Sequence, residues 1–131
     1  MYATIDAGSA SGIYRSDDAG ERWSRIQTDN RQFDRGYDFG EIKVDPQNPD
    51  IVYTANVVTW KSMDGGRTWN AFRGAPGGDD YHRIWINPNQ PSIILIASIL
   101  CGTVKLSPTN FIAFAPSMAL LRCVGATSKA R

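Results

Sequence analysis

A chain of 131 residues, with 14 Lys+Arg against 13 Asp+Glu, has the length of one ordinary domain and a net charge of +1. That balance gives no electrostatic basis for binding nucleic acid or an anionic membrane, and the longest apolar run, residues 93–100, is interrupted by Ser98 and falls well short of the ~20 residues that span a bilayer. Residues 1–6 have neither a basic nor an apolar leader segment, and Cys101 and Cys123 offer no disulfide framework and no Cys/His metal spacing.

In chain order, the first predicted strands are residues 12–16 and 23–27, separated by a tight polar turn. A long polar stretch, residues 28–40, leads to four more strands at 41–45, 51–55, 59–63 and 69–73. The alternation in Glu41-Ile42-Lys43-Val44 and in Arg83-Ile84-Trp85-Ile86 suits half-buried strands. After a second polar link, residues 74–82, strands are expected at 83–87 and 93–98, with a further one at 102–107. No stretch of residues 1–98 has the period of a long amphipathic helix.

Two anchors repeat along this order. Ser16-Asp17-Asp18-Ala19-Gly20-Glu21-Arg22-Trp23 and Ser62-Met63-Asp64-Gly65-Gly66-Arg67-Thr68-Trp69 share the pattern S-x-D-x-G-x-x-W, 46 residues apart. Asp45-Pro46-Gln47-Asn48-Pro49 is echoed 42 residues later by Asn87-Pro88-Asn89-Gln90-Pro91, and each precedes a strand-like run. Such periods with several short strands suit propeller blades. The expected class is therefore all-β, an incomplete β-propeller of about two to three four-stranded antiparallel blades. In each S-x-D-x-G-x-x-W motif the Asp (Asp18, Asp64) can accept from turn N–H groups. The Gly (Gly20, Gly66) can take positive φ, and the Trp (Trp23, Trp69) can bury its face on the neighbouring sheet. One acid per motif, without a cluster, argues for a structural turn over a calcium or catalytic site.

The S-x-D-x-G-x-x-W motif resembles the Asp box, or bacterial neuraminidase repeat, of sialidases, xyloglucan-type glycoside hydrolases and the sortilin N-terminal domain. The run from Gly12 to Trp23, the Asp29-Asn30-Arg31 triplet and Trp85-Ile86-Asn87-Pro88 are similar to bacterial glycosyl-hydrolase proteins with a sortilin-like propeller. The resemblance covers residues 10–98 and implies architecture more firmly than chemistry, because enzymes and receptors share the box. The arginine cluster, acid/base Asp and Tyr–Glu pair of sialidases have no residue-by-residue match here, so no catalytic residue is assigned. The resemblance implies either part of a carbohydrate-related site in a glycosyl-hydrolase-like or sialidase-like protein, or a non-catalytic sortilin-like propeller that binds peptides or proteins. No cofactor and no metal is expected. Fewer than three blades cannot close a propeller, so the remaining blades of a longer parent are expected partners, and no hydrolase activity is expected of this chain alone.

An antiparallel meander places alternate loops on opposite faces. With the boxes on one face, residues 28–40, 56–58 and 74–82 share the other, where propellers usually bind ligands. Arg31, Arg35, Asp80 and His82 lead the candidates there for a carbohydrate or peptide ligand. Asp29, Asp34, Tyr37, Asp38, Asp79 and Tyr81 lie in the same loops. Residues 99–131 differ in kind: all 13 acids lie at or before Asp80, and no Trp or Tyr follows Trp85. Ser107 to Phe114 falls near a third box but has Thr109, Phe111 and Phe114 in place of Asp, Gly and Trp. The domain division is thus residues 1–98, a partial Asp-box propeller, and residues 99–131, a divergent or out-of-frame tail whose apolar run 111–124 suits a helix or an exposed sticky segment.

Overall fold

The computed structural model describes residues 1–33, 36, 40–72 and 80–98, together with the backbone of 111–114. The fold is all-β, three small sheets side by side, with no α-helix among the described residues. The first sheet is the antiparallel meander β1 (Tyr2–Ile5), β2 (Gly12–Arg15) and β3 (Ser24–Gln27). The second is the four-stranded antiparallel meander β4 (Glu41–Val44), β5 (Val52–Ala55), β6 (Trp60–Ser62) and β7 (Asn70–Ala71). The third pairs β8 (Tyr81–Ile86) antiparallel with β9 (Ile94–Ser98). Beyond β9, β10 (Phe111–Phe114) runs parallel to it. Strand β1 packs beside β4, and β4 and β5 pack beside β8.

Two strands depart from the sequence expectation. Strand β1 is not foreseen, because Tyr2-Ala3-Thr4-Ile5 is short and lies at the edge of the repeat. Strand β10 falls where a helix or a sticky segment is expected, and its parallel pairing differs from a meander. The further strand expected at 102–107 lies outside the described residues, as do most of the loop residues 34–39 and 73–79.

Both repeated anchors are turns closed by their own side chains. Asp45 Oδ1 accepts from the backbone N–H of Gln47 at 2.8 Å and of Asn48 at 3.1 Å. Asn87 does the same for Asn89 at 2.9 Å and Gln90 at 3.3 Å. Ile51 and Ile93 then donate back to Asn48 and Gln90, and Asp45 and Asn87 donate to Ile51 and Ile93. These Asx turns reverse the chain between β4 and β5 and between β8 and β9. Gln47 Nε2 reaches Pro88 O at 3.2 Å, so the two turns also touch across neighbouring sheets.

The main core lies between the second and third sheets. Tyr53 and Ala55 of β5 meet Tyr81, Ile84 and Ile86 of β8 and Ile94 and Ile96 of β9, with Ile51 and Phe72 at the margin. The alternation along β8 explains this from Arg83 onward, with Ile84 and Ile86 inward and Arg83 and Trp85 facing out, while the register shift between Tyr81 and Arg83 lets Tyr81 turn inward as well. Tyr53 and Phe72 rings tilt together at 5.5 Å, and burial pushes the Tyr53 hydroxyl up to about 12. Glu41 of β4 ties the seam, accepting from the backbone N–H of Ile84 and pairing with Arg83.

The seam between the first and second sheets is more polar. Arg15 bridges Asp17 and Asp50 at 2.7 and 2.8 Å, and the Tyr2 hydroxyl donates to Pro49 O at 2.9 Å. Gly65 and Gly66 sit in this seam at φ +71° and +87°. A Cβ on Gly65 would lie 2.2 Å from Arg15 Nη1, and one on Gly66 would lie 2.7 Å from Ile26 Cδ1. Glycine here serves the close approach of the sheets as well as the turn.

Candidate functional site

The two S-x-D-x-G-x-x-W turns have the same hydrogen-bond plan. In the first, Ser16 Oγ donates to Asp18 Oδ1 at 2.9 Å and accepts from Gly20 N at 2.8 Å. Asp18 Oδ1 accepts from Arg22 N, and Trp23 Nε1 donates to Gly20 O, both at 2.9 Å. In the second, Ser62 Oγ donates to Asp64 at 2.8 Å and accepts from Gly66 N at 2.8 Å. Asp64 Oδ1 accepts from Arg67 N and Thr68 N, and Trp69 Nε1 donates to Gly66 O at 2.9 Å. Thr68 Oγ1 adds a 2.6 Å bond to Asp64 Oδ2. The Thr68 hydroxyl and backbone hold the Asp64 carboxyl at about 2, and the backbone bond from Arg22 lowers Asp18. Each acid is therefore an anion consumed by its own turn.

The serines were expected only as motif positions, yet each is the hub of its turn and is buried. Trp23 differs from the expectation of burial on the neighbouring sheet, being 40% exposed, whereas Trp69 is half-buried; each indole also lies against its own turn glycine. Donating to the glycine carbonyl makes the indole a clasp for the loop, which does not require an adjacent sheet.

Strand direction fixes which loops share an end. Gly65 N donates to Asp50 O at 2.8 Å, so the second box turn lies at the same end as the Asx turn between β4 and β5. The connection from β5 to β6, residues 56–59, is then at the opposite end. Strand β3 also runs away from its box turn and delivers residues 28–33 to that opposite end. There Arg31 lies over the Trp60 ring, 5.1 Å from its centroid. Tyr81 N donates to Asn56 O at 3.0 Å and brings the start of β8 to the same rim.

The structure thus brings Arg31, Asp80 and His82 to one rim, opposite Asp18 and Asp64. Arg35 lies outside the described residues, as do Asp34, Tyr37, Asp38 and Asp79. Asp29 caps the short 3-10 turn Asn30–Gln32 through Arg31 N and holds the Arg31 guanidinium bidentately. That guanidinium is the main reason the Asp29 carboxyl stays below the usual carboxylate range. Asp80, immediately before β8, has φ +56°, a left-handed conformation Asp tolerates better than most residues.

One part of this rim escaped the sequence reading. Beside residues 28–33, the turn 6–11 between β1 and β2 walls a hollow of about 600 Å³, lined by Asp6, Ser9, Ser11, Arg25, Thr28 and Asn30 among others. A neighbouring hollow of about 420 Å³ shares Asp6 and Phe33. The missed β1 hid this turn; the small polar run Asp6 to Ser11 before Gly12 was the available signal. A cleft of about 240 Å³ lies in the seam between the second and third sheets, lined by Tyr53, Lys61, Phe72 and Pro91 among others, and has no residue of the rim. Among the described residues no three His, Cys, Asp or Glu side chains gather as a metal site, and no helix is long and apolar enough to cross a membrane.

Comparison with protein-family models, with curated proteins and with solved structures returned no match.

Proposed function

We propose that the chain is a section of an Asp-box β-propeller, with its three sheets as successive blades. In this reading the rim opposite the boxes contributes to a carbohydrate-related site of a glycosyl-hydrolase-like or sialidase-like protein. The observation that carries the reading is the recurrence of the same serine, aspartate, glycine and tryptophan bonds at Ser16–Trp23 and Ser62–Trp69 in two neighbouring sheets. The serine, aspartate and tryptophan side chains of these turns are engaged within the turns themselves, which directs attention to the other end of the sheets. The rim there combines Arg31 stacked on Trp60, Asp80, His82 and the hydroxyl-rich hollow at Ser9, Ser11 and Thr28. Such a mixture suits the hydroxyls and apolar faces of sugars.

Asp29 is already bound by Arg31, which favours binding over acid–base chemistry at this rim. That engagement also supports the second reading, a non-catalytic, sortilin-like propeller for peptides. A glycan array run beside a peptide panel, with purified full chain, separates the two. Selective retention of glycans supports the carbohydrate reading. Retention of peptides alone supports the second, and retention of neither contradicts both.

A further inference from the structure

The second box turn contains the dipeptide Asp64-Gly65, whereas the first has Asp18-Ala19 at the same two places. The turn itself does not require glycine there, because Ala19 holds φ +61° where Gly65 holds +71°. Packing does require it. A Cβ on Gly65 would lie 2.2 Å from Arg15 Nη1 and 3.0 Å from Asp50 Oδ1, so the seam with the first sheet excludes a side chain. That demand sets, directly after Asp64, the residue whose backbone nitrogen is least hindered in attacking the preceding side chain.

An aspartyl–glycyl bond isomerises by such an attack. Gly65 N bonds to Cγ of the protonated Asp64 carboxyl, and the carboxyl hydroxyl leaves as water with the proton that the amide gives up. The five-membered succinimide so formed takes water back at the Asp64 main-chain carbonyl, which breaks the bond from that carbonyl to Gly65 N. The chain then runs through the Asp64 side chain as isoaspartate, with no net change in composition.

The closed turn withholds both reactants. Asp64 Oδ1 accepts from Ser62 Oγ at 2.8 Å, from Arg67 N at 3.0 Å and from Thr68 N at 2.8 Å, and Oδ2 accepts from Thr68 Oγ1 at 2.6 Å. The carboxyl cannot turn toward Gly65 N without breaking these bonds. Titrating near 2 against an ordinary 3.8, it is also roughly sixtyfold less protonated at neutral pH than in an open chain. Gly65 N is itself engaged, donating to Asp50 O at 2.8 Å. We propose that Asp64-Gly65 is a fold-gated isomerisation site, inert while the turn is closed and converted to isoaspartate when it opens. Conversion is one-way for the fold, because the isoaspartyl link adds a carbon to the main chain where Gly65 has no room beside Arg15. The site is independent of what the rim binds.

Ageing the full chain at neutral pH across a urea series tests this. Isoaspartate is counted by enzymatic methylation and placed by peptide fragmentation in a mass spectrometer, and the unfolded fraction is read by tryptophan fluorescence. The rate at Asp64 should follow the unfolded fraction and be lower without urea than in full urea by more than about tenfold. Asp18, followed by alanine, should react more slowly than Asp64 in full urea. Thr68→Val removes the bond to Asp64 Oδ2 from outside the reacting pair. It should raise the rate at Asp64 without urea and leave the rate in full urea unchanged. A rate at Asp64 that stays flat across the series overturns the proposal, as does an Asp18 that reacts as fast as Asp64 in full urea. Should Thr68→Val not fold, the wild-type series decides by the same criterion.

Discussion

Alanine at Gly66 and at Gly20 forms a matched pair that isolates the packing of the second box turn against the first sheet. Both glycines occupy the same place in the same turn, at φ +87° and +99°. A side chain resists such a backbone by about 1–2 kcal/mol, and this cost is common to both sites. Their surroundings differ. At Gly20 the nearest atom to a new Cβ is Met1 Sδ at 3.6 Å, an ordinary contact. At Gly66 it is Ile26 Cδ1 at 2.7 Å, closer than real Cβ atoms come. The isoleucine tip can rotate or the sheets can part slightly, and overpacking of that kind costs about 1–2 kcal/mol more. Gly66→Ala is therefore expected to destabilise by about 2–4 kcal/mol and Gly20→Ala by about 1–2 kcal/mol. Urea unfolding with both slopes checked reads the difference as a shift in midpoint. Equal losses at the two positions would refute the close approach of the second turn to the first sheet.

The same turns give two further expectations. Asp64→Ala should cost about 1–2 kcal/mol at neutral pH, discounted for the exposure of the carboxylate. Because the folded carboxyl titrates near 2, against an ordinary value of 3.8, its contribution is complete above the ordinary value and fades as pH falls toward 2. An acid titration of stability should show that fading in the wild type and a shallower profile in the variant; parallel profiles would refute it. Ala19 holds φ +61° where the second turn has Gly65 at +71°. Ala19→Gly should raise stability by about 0.5–1 kcal/mol, the relief of a left-handed alanine less the added freedom of the unfolded chain; a lowered midpoint would count against strain there.

The parts of the fold legible in the sequence are those where chemistry and spacing recur. The S-x-D-x-G-x-x-W turns marked β2, β3, β6 and β7, and the Pro-flanked Asx turns marked β4, β5, β8 and β9. Strand ends shifted by one or two residues because side-chain turns such as that of Asp45 absorb the terminal positions. Strand β1 was not legible: Tyr2 to Ile5 has no box of its own, and its place is set by β2 and by the contact of Tyr2 with Pro49. The exposure of Trp23 was hidden too, since sequence gives the residue type but not whether its indole clasps the turn or reaches another sheet. For the rim, alternation of strand ends indicated which loops come together. The stacking of Arg31 on Trp60 depends on side-chain placement across two sheets, which no local pattern encodes.

The division of labour between the two ends of the sheets is the central claim, and calorimetric titration of the best-retained glycan against paired variants tests it most directly. Arg31→Ala and His82→Ala alter the rim, while Glu21→Ala and Arg67→Ala alter the box turns at the far end. Affinity is expected to fall about tenfold or more with the rim pair, as for a lost hydrogen bond to a charged group, and to stay within about twofold with the far pair. Loss of affinity in the far pair with the rim pair unaffected would contradict the account.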